Sequence, residues 1–292
     1  MTDLLTIADL SRDDLLAILA LAESPTLGRP LADKGVALVF EKPSARTRNS
    51  TEMAVVQLGG HPIVLRQDEI GIGSRETPED VARTLACYHS VIAARVFDHA
   101  ILETMARTVD VPVLNMLSNR SHPLQALADL LTIRQLHGSL DDAKLAYVGD
   151  ANNVARSLAE ACAKLGVTMT IASPDSYGFS EAELAQWDGV SACHEPREAV
   201  EGAQFVYTDV WVSMGQDGET AAREAAFADY SVTAELMARA PDAHFLHCLP
   251  AVRGGEVAAE VIDGPASAVW RQAENRMHSA RGALAWMLGI RP

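Results

Sequence analysis

The sequence predicts an α/β protein built as two doubly wound parallel-sheet domains with a cleft between them. Short apolar β-type runs alternate with amphipathic helical segments from end to end, which is the pattern of parallel strands joined by helical crossovers. The alternation pauses once, near HGSLDDAK (137–144), and then restarts. At 292 residues and 48% apolar content, the chain is long enough for two medium domains with buried cores.

In the first series GVALVFEK (35–42), HPIVL (61–65), SVIAAR (90–95) and VPVLNM (111–116) read as strands. Helices are expected over 46–58, 77–89 and 98–107, and a long one over 122–137. Thr77, Pro78 and Glu79 supply an N-cap, a first-turn proline and an acidic first turn. The second series has strands in KLAYVGD (144–150), VTMTIAS (167–173), GVSACH (189–194), AQFVYTD (203–209) and AHFLHC (243–248). Helical stretches at 152–165, 181–187, 197–202 and 232–239 separate them, and a helix over about 271–289 closes the chain. The expected domains are 1–137 and 138–270, followed by a C-terminal segment 271–292. Ligands of such sheets sit beyond the carboxyl ends of the strands, which singles out the loops after 41, 95, 116, 150, 209 and 247.

Composition narrows the function. A net charge of −15 with a pI near 5.0 argues against a nucleic-acid or anionic-membrane partner. No apolar run approaches the ~20 residues of a membrane helix. The acidic start MTDLLTIADLSRDD lacks the layout of a signal peptide. Cys87, Cys162, Cys193 and Cys248 are scattered, so a reduced, cytoplasmic setting is expected. Lysine occurs only at 34, 42, 144 and 164, so any bound anion is expected to meet mainly guanidinium groups.

The unusual residues fall in the strand-end loops. KPSARTR follows the first strand, with Ser44 placed to cap a helix. In isolation it is a capped helix start; as a site, its first-turn N–H groups, hydroxyls and guanidinium would converge on a phosphate-sized anion. Residues two apart on a helix do not share a face, which puts Arg46 on the ligand and Arg48 in a structural pairing. Arg95 ends an apolar strand and either faces the cleft or pairs with a neighbouring helix. In SHPLQ, His122 and Gln125 project from one side of a helical first turn, while Pro123 suits its start. YVGDANN lacks both G-x-G-x-x-G and the P-loop pattern, which disfavours a nucleotide. TDVWVSMGQ combines Asp209, Ser213 and Met214. HFLHC invites a zinc reading, but residues 244 and 247 of one strand point to opposite faces, so no metal is expected.

Taken together and in order, S-x-R-T-R, Arg95, H-P-x-Q, G-D-x-N-N, D-x-W-x-S-M-G, H-C-L-P and E-N-R resemble the aspartate/ornithine carbamoyltransferase family, the last four its ornithine branch. The resemblance spans about residues 4–289. It implies transfer of the carbamoyl group of carbamoyl phosphate to the side-chain amine of L-ornithine, giving L-citrulline and phosphate in arginine metabolism. It also implies no cofactor, a homotrimer, and a C-terminal helix that packs back on the first domain.

By position, the resemblance assigns carbamoyl phosphate to Ser44, Ala45, Arg46, Thr47, Arg95, His122, Pro123, Leu124, Gln125, Cys248, Leu249 and Arg276. It assigns ornithine to Asn153, Asp209, Ser213 and Met214, and catalysis to Arg95, His122, Cys248 and Asp209. Within these sets Arg95, Thr47 and His122 surround the carbonyl oxygen and Gln125 holds the carbamoyl amide. Three departures stand out: Ala45 replaces a usual threonine, NSTEM follows the arginines, and Gly71 stands where relatives often reach a neighbouring subunit's site. Another acceptor (putrescine, acetylornithine or aspartate) is the alternative within the family. A dinucleotide-dependent oxidoreductase and a non-catalytic paralogue are the alternatives outside it.

Overall fold

The computed structural model describes residues 2–212 and 217–292. The chain divides into two compact units, Met1–Leu131 with Glu274–Pro292, and Thr132–Ala273.

The first unit holds β1 (Gly35–Phe40), β2 (His61–Arg66), β3 (His89–Arg95) and β4 (Val113–Leu117), all parallel in the order β2-β1-β3-β4. Val36, Ala37, Leu38 and Val39 are fully buried, as an apolar run covered on both faces must be. β2, at the edge, keeps no fully buried residue. Around the sheet run α1 (Arg12–Glu23), α2 (Ala45–Gln57), α3 (Pro78–Ala86), α4 (His99–Thr108) and α5 (Pro123–His137). Their starts follow local chemistry: Ser44, Thr77 and Asp98 each accept a hydrogen bond from a first-turn N–H.

α1 is a helix that the strand–helix alternation did not predict. Its signals are local: a capping box between Ser11 and Asp14, and Leu15, Ile18, Leu19 and Ala22 buried at helical spacing. The C-terminal helix, Val269–Met287, belongs to this unit from Glu274 onward and packs on α1. Gly282 permits that approach, because a Cβ there would lie 2.6 Å from the Ile18 carbonyl oxygen. Arg281 donates to the carbonyls of Ala22 (2.9 Å) and Ser24 (2.7 Å), satisfying the end of α1.

The second unit holds β5 (Lys144–Val148), β6 (Thr168–Ala172), β7 (Val190–Cys193), β8 (Phe205–Thr208) and β9 (His244–His247), parallel in the order β7-β6-β5-β8-β9. Tyr147 and Tyr207 stack across β5 and β8 at 5.5 Å between ring centroids. α6 (Asn153–Leu165) covers the sheet, and α7 (Thr220–Ala226) follows the β8 loop. The helices expected at 181–187, 197–202 and 232–239 are single turns, Glu181–Leu184, Pro196–Ala199 and Ala234–Met237. Beyond them the chain goes on in tighter turns, with the N–H groups of Trp187, Ala203 and Arg239 each donating to the carbonyl three residues back. All nine predicted strands are present, with ends within two residues of expectation.

In each sheet the chain reverses its direction of winding once, between β1 and β3 and between β5 and β8. Crevices beyond the carboxyl ends of strands at such points are where doubly wound sheets bind ligands. Among the described residues no helix is long and apolar enough to cross a membrane.

Candidate active site

At the first switch point β1 runs into the start of α2, and β3 ends at Arg95. Ser44 is extended (φ −153°, ψ 110°) and caps α2 by accepting the Thr47 N–H at 3.4 Å. Arg48 spends its guanidinium on Glu52 one turn later, 2.9 Å away, as expected of a structural pairing. Arg46 and Ala45 are exposed at the mouth of the turn. Arg95 and Thr47 are buried, and Arg95 Nη1 donates to Thr47 Oγ1 at 3.3 Å.

α5 and the C-terminal helix add the remaining groups of this half. The loop before α5 is braced by fully buried Asn115, which donates to the carbonyls of Leu5 (2.8 Å) and Ser121 (3.2 Å). His122 and Gln125 open the helix, both buried. Pro123 fills the first turn, and fully buried Leu124 gives its carbonyl to Ser279 Oγ at 3.0 Å. That bond seats the C-terminal helix so that buried Arg276, one turn earlier, reaches the same place.

Burial, and then the charges of Arg276 and Arg95, hold the His122 imidazole well below its usual pKa. His122 therefore serves as a neutral hydrogen-bonding group beside two cations. Thr47, Arg95, His122, Gln125 and Arg276 thus gather in one buried, cationic, donor-rich place.

The second switch point brings together Asp150, Asn152 and Asn153 after β5, Asp209 after β8, and Cys248 after β9. Asp209 is 5% exposed, and both its carboxylate oxygens accept hydrogen bonds. Oδ2 accepts from Asn152 Nδ2 at 2.9 Å, while Oδ1 accepts from Val210 N (2.8 Å) and from the Cys248 thiol (2.9 Å). Asn152 also caps α6, accepting the N–H groups of Val154 (2.8 Å) and Ala155 (3.1 Å). Asn153 is the first residue of that helix and half-buried. Asn152→Ala removes the cap, and its unfolding midpoint in urea should fall by the equivalent of about 1–2 kcal/mol. An unchanged midpoint would show that the cap contributes nothing.

The H-C-L-P turn is held rigidly. Leu249 has φ +61°, and the Leu249–Pro250 peptide is cis. A leucine persists in the left-handed region only where its surroundings over-determine it. His247 supplies that constraint: its Nδ1 accepts the Leu249 N–H at 2.8 Å, and its Nε2 meets Glu256 Oε1 at 3.1 Å. Glu256 Oε1 also accepts the Val252 N–H at 2.6 Å. Asp209, His247 and Cys248 have donor atoms within 4.8 Å of one another. With both His247 nitrogens committed inside the protein, this set is built as a brace rather than a metal site.

Sequence reasoning missed the partners behind these groups. Arg223 of α7 is buried, and its Nη1 donates to Asp150 Oδ2 and to the Trp211 carbonyl, both at 2.9 Å. Its Nε donates to Glu219 at 3.0 Å. Fully buried Asp129 accepts from Gln125 at 2.7 Å. Gly71 ends the turn Gln67–Ile70 in the left-handed region (φ +63°), so a backbone requirement, not only the loss of a side chain, explains the glycine. The predicted residues Ser213 and Met214 lie outside the described residues.

The chain matches two family models, the carbamoyl-P binding domain of aspartate/ornithine carbamoyltransferase over residues 2–135 and the Asp/Orn binding domain over residues 141–287. An ornithine carbamoyltransferase of Acidothermus cellulolyticus is 50% identical over 272 residues, 89% of this chain and 86% of that protein. One from Bacillus subtilis is 45% identical, over 98% of this chain and 93% of its own length. The crystal structure of ornithine carbamoyltransferase from Thermus thermophilus superimposes with a TM-score of 0.91 at 43% identity, covering 98% of both chains. The Pyrococcus furiosus structure gives 0.93 at 42% identity, covering 99% of this chain and 98% of that one. On its motifs, its two sheets and these relatives together, the chain belongs to the aspartate/ornithine carbamoyltransferase family.

Proposed function

We propose that the chain transfers the carbamoyl group of carbamoyl phosphate to the side-chain amine of L-ornithine, yielding L-citrulline and phosphate. The observation that carries this reading is the buried cluster of Thr47, Arg95, His122 and Arg276 at the first switch point. It offers several donors and two fixed positive charges, as an acyl phosphate requires. In this reading the first turn of α2 (Ser44, Ala45, Arg46, Thr47) and Arg276 hold the phosphate. Arg95, Thr47 and His122 take the carbonyl oxygen, and Gln125 takes the amide. Asp209 and Cys248 orient the ornithine amine, and Asn153, Ser213 and Met214 complete its pocket. Leu249, held at φ +61°, follows Cys248 directly in the H-C-L-P turn.

The amine nitrogen attacks the carbamoyl carbon and negative charge grows on the carbonyl oxygen, where the donors stabilise it. The new C–N bond forms, the bond between the carbamoyl carbon and the bridging oxygen breaks, and phosphate leaves with the electron pair and takes up the second proton, which the nitrogen sheds after attack. A free alkyl amine has a pKa near ~10, so deprotonation precedes attack. No protein nucleophile is needed, and much of the acceleration comes from positioning the two reactants. A parallel steady-state assay of carbamoyl phosphate with ornithine, putrescine, acetylornithine and aspartate tests the reading. Citrulline should dominate, and a faster product from any other amine would overturn the acceptor assignment.

The proposed assembly is a homotrimer. Met53 and Val56 on α2 and Ile63 on β2 are exposed apolar side chains that self-association would cover. Light scattering should give about three times the 31.3 kDa chain mass. No disulfide joins Cys87, Cys162, Cys193 and Cys248 among the described residues, which supports the cytoplasmic setting.

A further inference from the structure

Asp129 lies one turn after Gln125 on α5 and is completely buried. Gln125 Nε2 donates to Asp129 Oδ1 at 2.7 Å. A carboxamide has two ends of opposite polarity and nearly equal shape, and its orientation is decided by its partners. A carboxylate only accepts, so Asp129 engages the NH₂ end. The carbonyl oxygen of Gln125 is then the end left for a ligand.

That choice bears on recognition. A carbamoyl group is planar, with an oxygen on one side and an NH₂ on the other. Donors from Arg95, Thr47 and His122 suit the oxygen, and the NH₂ needs an acceptor. Were Gln125 turned over, two NH₂ groups would face each other. We infer that Asp129 is a positioning residue that locks Gln125 with its oxygen toward the ligand, and so makes the first unit select a carbamoyl over an acetyl phosphate. The inference rests on the proposed function, in which Gln125 holds the carbamoyl amide. A methyl group cannot donate, so the locked oxygen is left unmatched by acetyl phosphate; sites built to pair a polar group discriminate strongly against analogues that lack it.

The test uses the full chain and reads one ratio, the Ki of acetyl phosphate (as a competitive inhibitor) divided by the KM of carbamoyl phosphate. Inorganic phosphate serves as a control for the anion site. Asp129→Asn keeps the volume but can turn its own amide to donate to Gln125, so both orientations become available. The KM of carbamoyl phosphate should rise about tenfold, with the Ki values of acetyl phosphate and phosphate within twofold of the parent, so the ratio falls about tenfold. Equal weakening of all three ligands would mean a merely structural role and overturn the inference. Should D129N not fold, D129T, whose hydroxyl both donates and accepts, reads the same ratio.

Gln125→Met separates the two layers. If Q125M lowers the ratio and the Asp129 variants do not, the role of Asp129 falls while the reading of Gln125 stands. If Q125M leaves the ratio unchanged, both fall.

Discussion

Arg95→Met lowers the kcat of citrulline formation by roughly a hundred- to a thousandfold, the usual effect of deleting one preorganised donor to a developing oxyanion. The side chain is buried at the end of β3 and bonded to Thr47, so its guanidinium is fixed before substrate arrives. Stability moves much less. Arg95 shares its surroundings with Arg276 and His122, and its charge helps hold the His122 pKa down. Removing a cation from beside another cation relieves repulsion and offsets part of the packing lost with the longer side chain.

Two signatures should therefore appear together in R95M. The melting temperature stays within a few degrees of the parent, and any acid-side inflection that His122 gives the residual activity moves upward, while burial and Arg276 still hold its pKa below the ordinary value. A kcat within threefold of the parent would remove Arg95 from the proposed chemistry.

Much of this site was legible because it is encoded locally. A helix cap such as Ser44, an arginine ending an apolar strand, or a histidine and glutamine three apart in a first turn can each be read within a few residues. The order of strands and helices carried the fold for the same reason, since parallel crossovers keep neighbouring elements close in sequence. Arg48 is a further case, because its partner Glu52 lies one helical turn away.

What stayed hidden is tertiary. Arg223 pairs with Asp150 across 73 residues, and nothing near either marks the other. Asn152 and Asn153 are indistinguishable as a dipeptide; only the β8 end, which supplies Asp209, shows that Asn152 joins cap and carboxylate. α1 was hidden differently. Its cap and apolar spacing are plain, but it precedes the first strand and so falls outside the alternation that organises the rest.

Arg223→Met should be the most destabilising single change in the second unit. Asp150 is 7% exposed, and burial pushes its carboxyl pKa up, with Asp209 and Glu219 adding to the rise and Arg223 opposing it. Taking away the guanidinium leaves a buried carboxylate without its counter-charge, which typically costs about 3–5 kcal/mol. In a chain of this size that lowers the melting temperature on the order of 10 °C.

The pH dependence gives the cause away. A carboxyl whose folded pKa lies above its unfolded one binds more protons folded than unfolded. Its contribution is fully favourable below the unfolded value of 3.8 and is lost as pH rises through the folded value. In R223M that folded value moves higher still, so the deficit against the parent is largest near pH 7–8 and shrinks as pH falls toward 5. Asp150→Asn removes the stranded charge, and the R223M/D150N pair should recover most of the lost stability at neutral pH. A deficit equal at both pH values, or a pair no more stable than R223M alone, would mean that Arg223 acts through its contacts with the Trp211 carbonyl and Glu219, and not through Asp150.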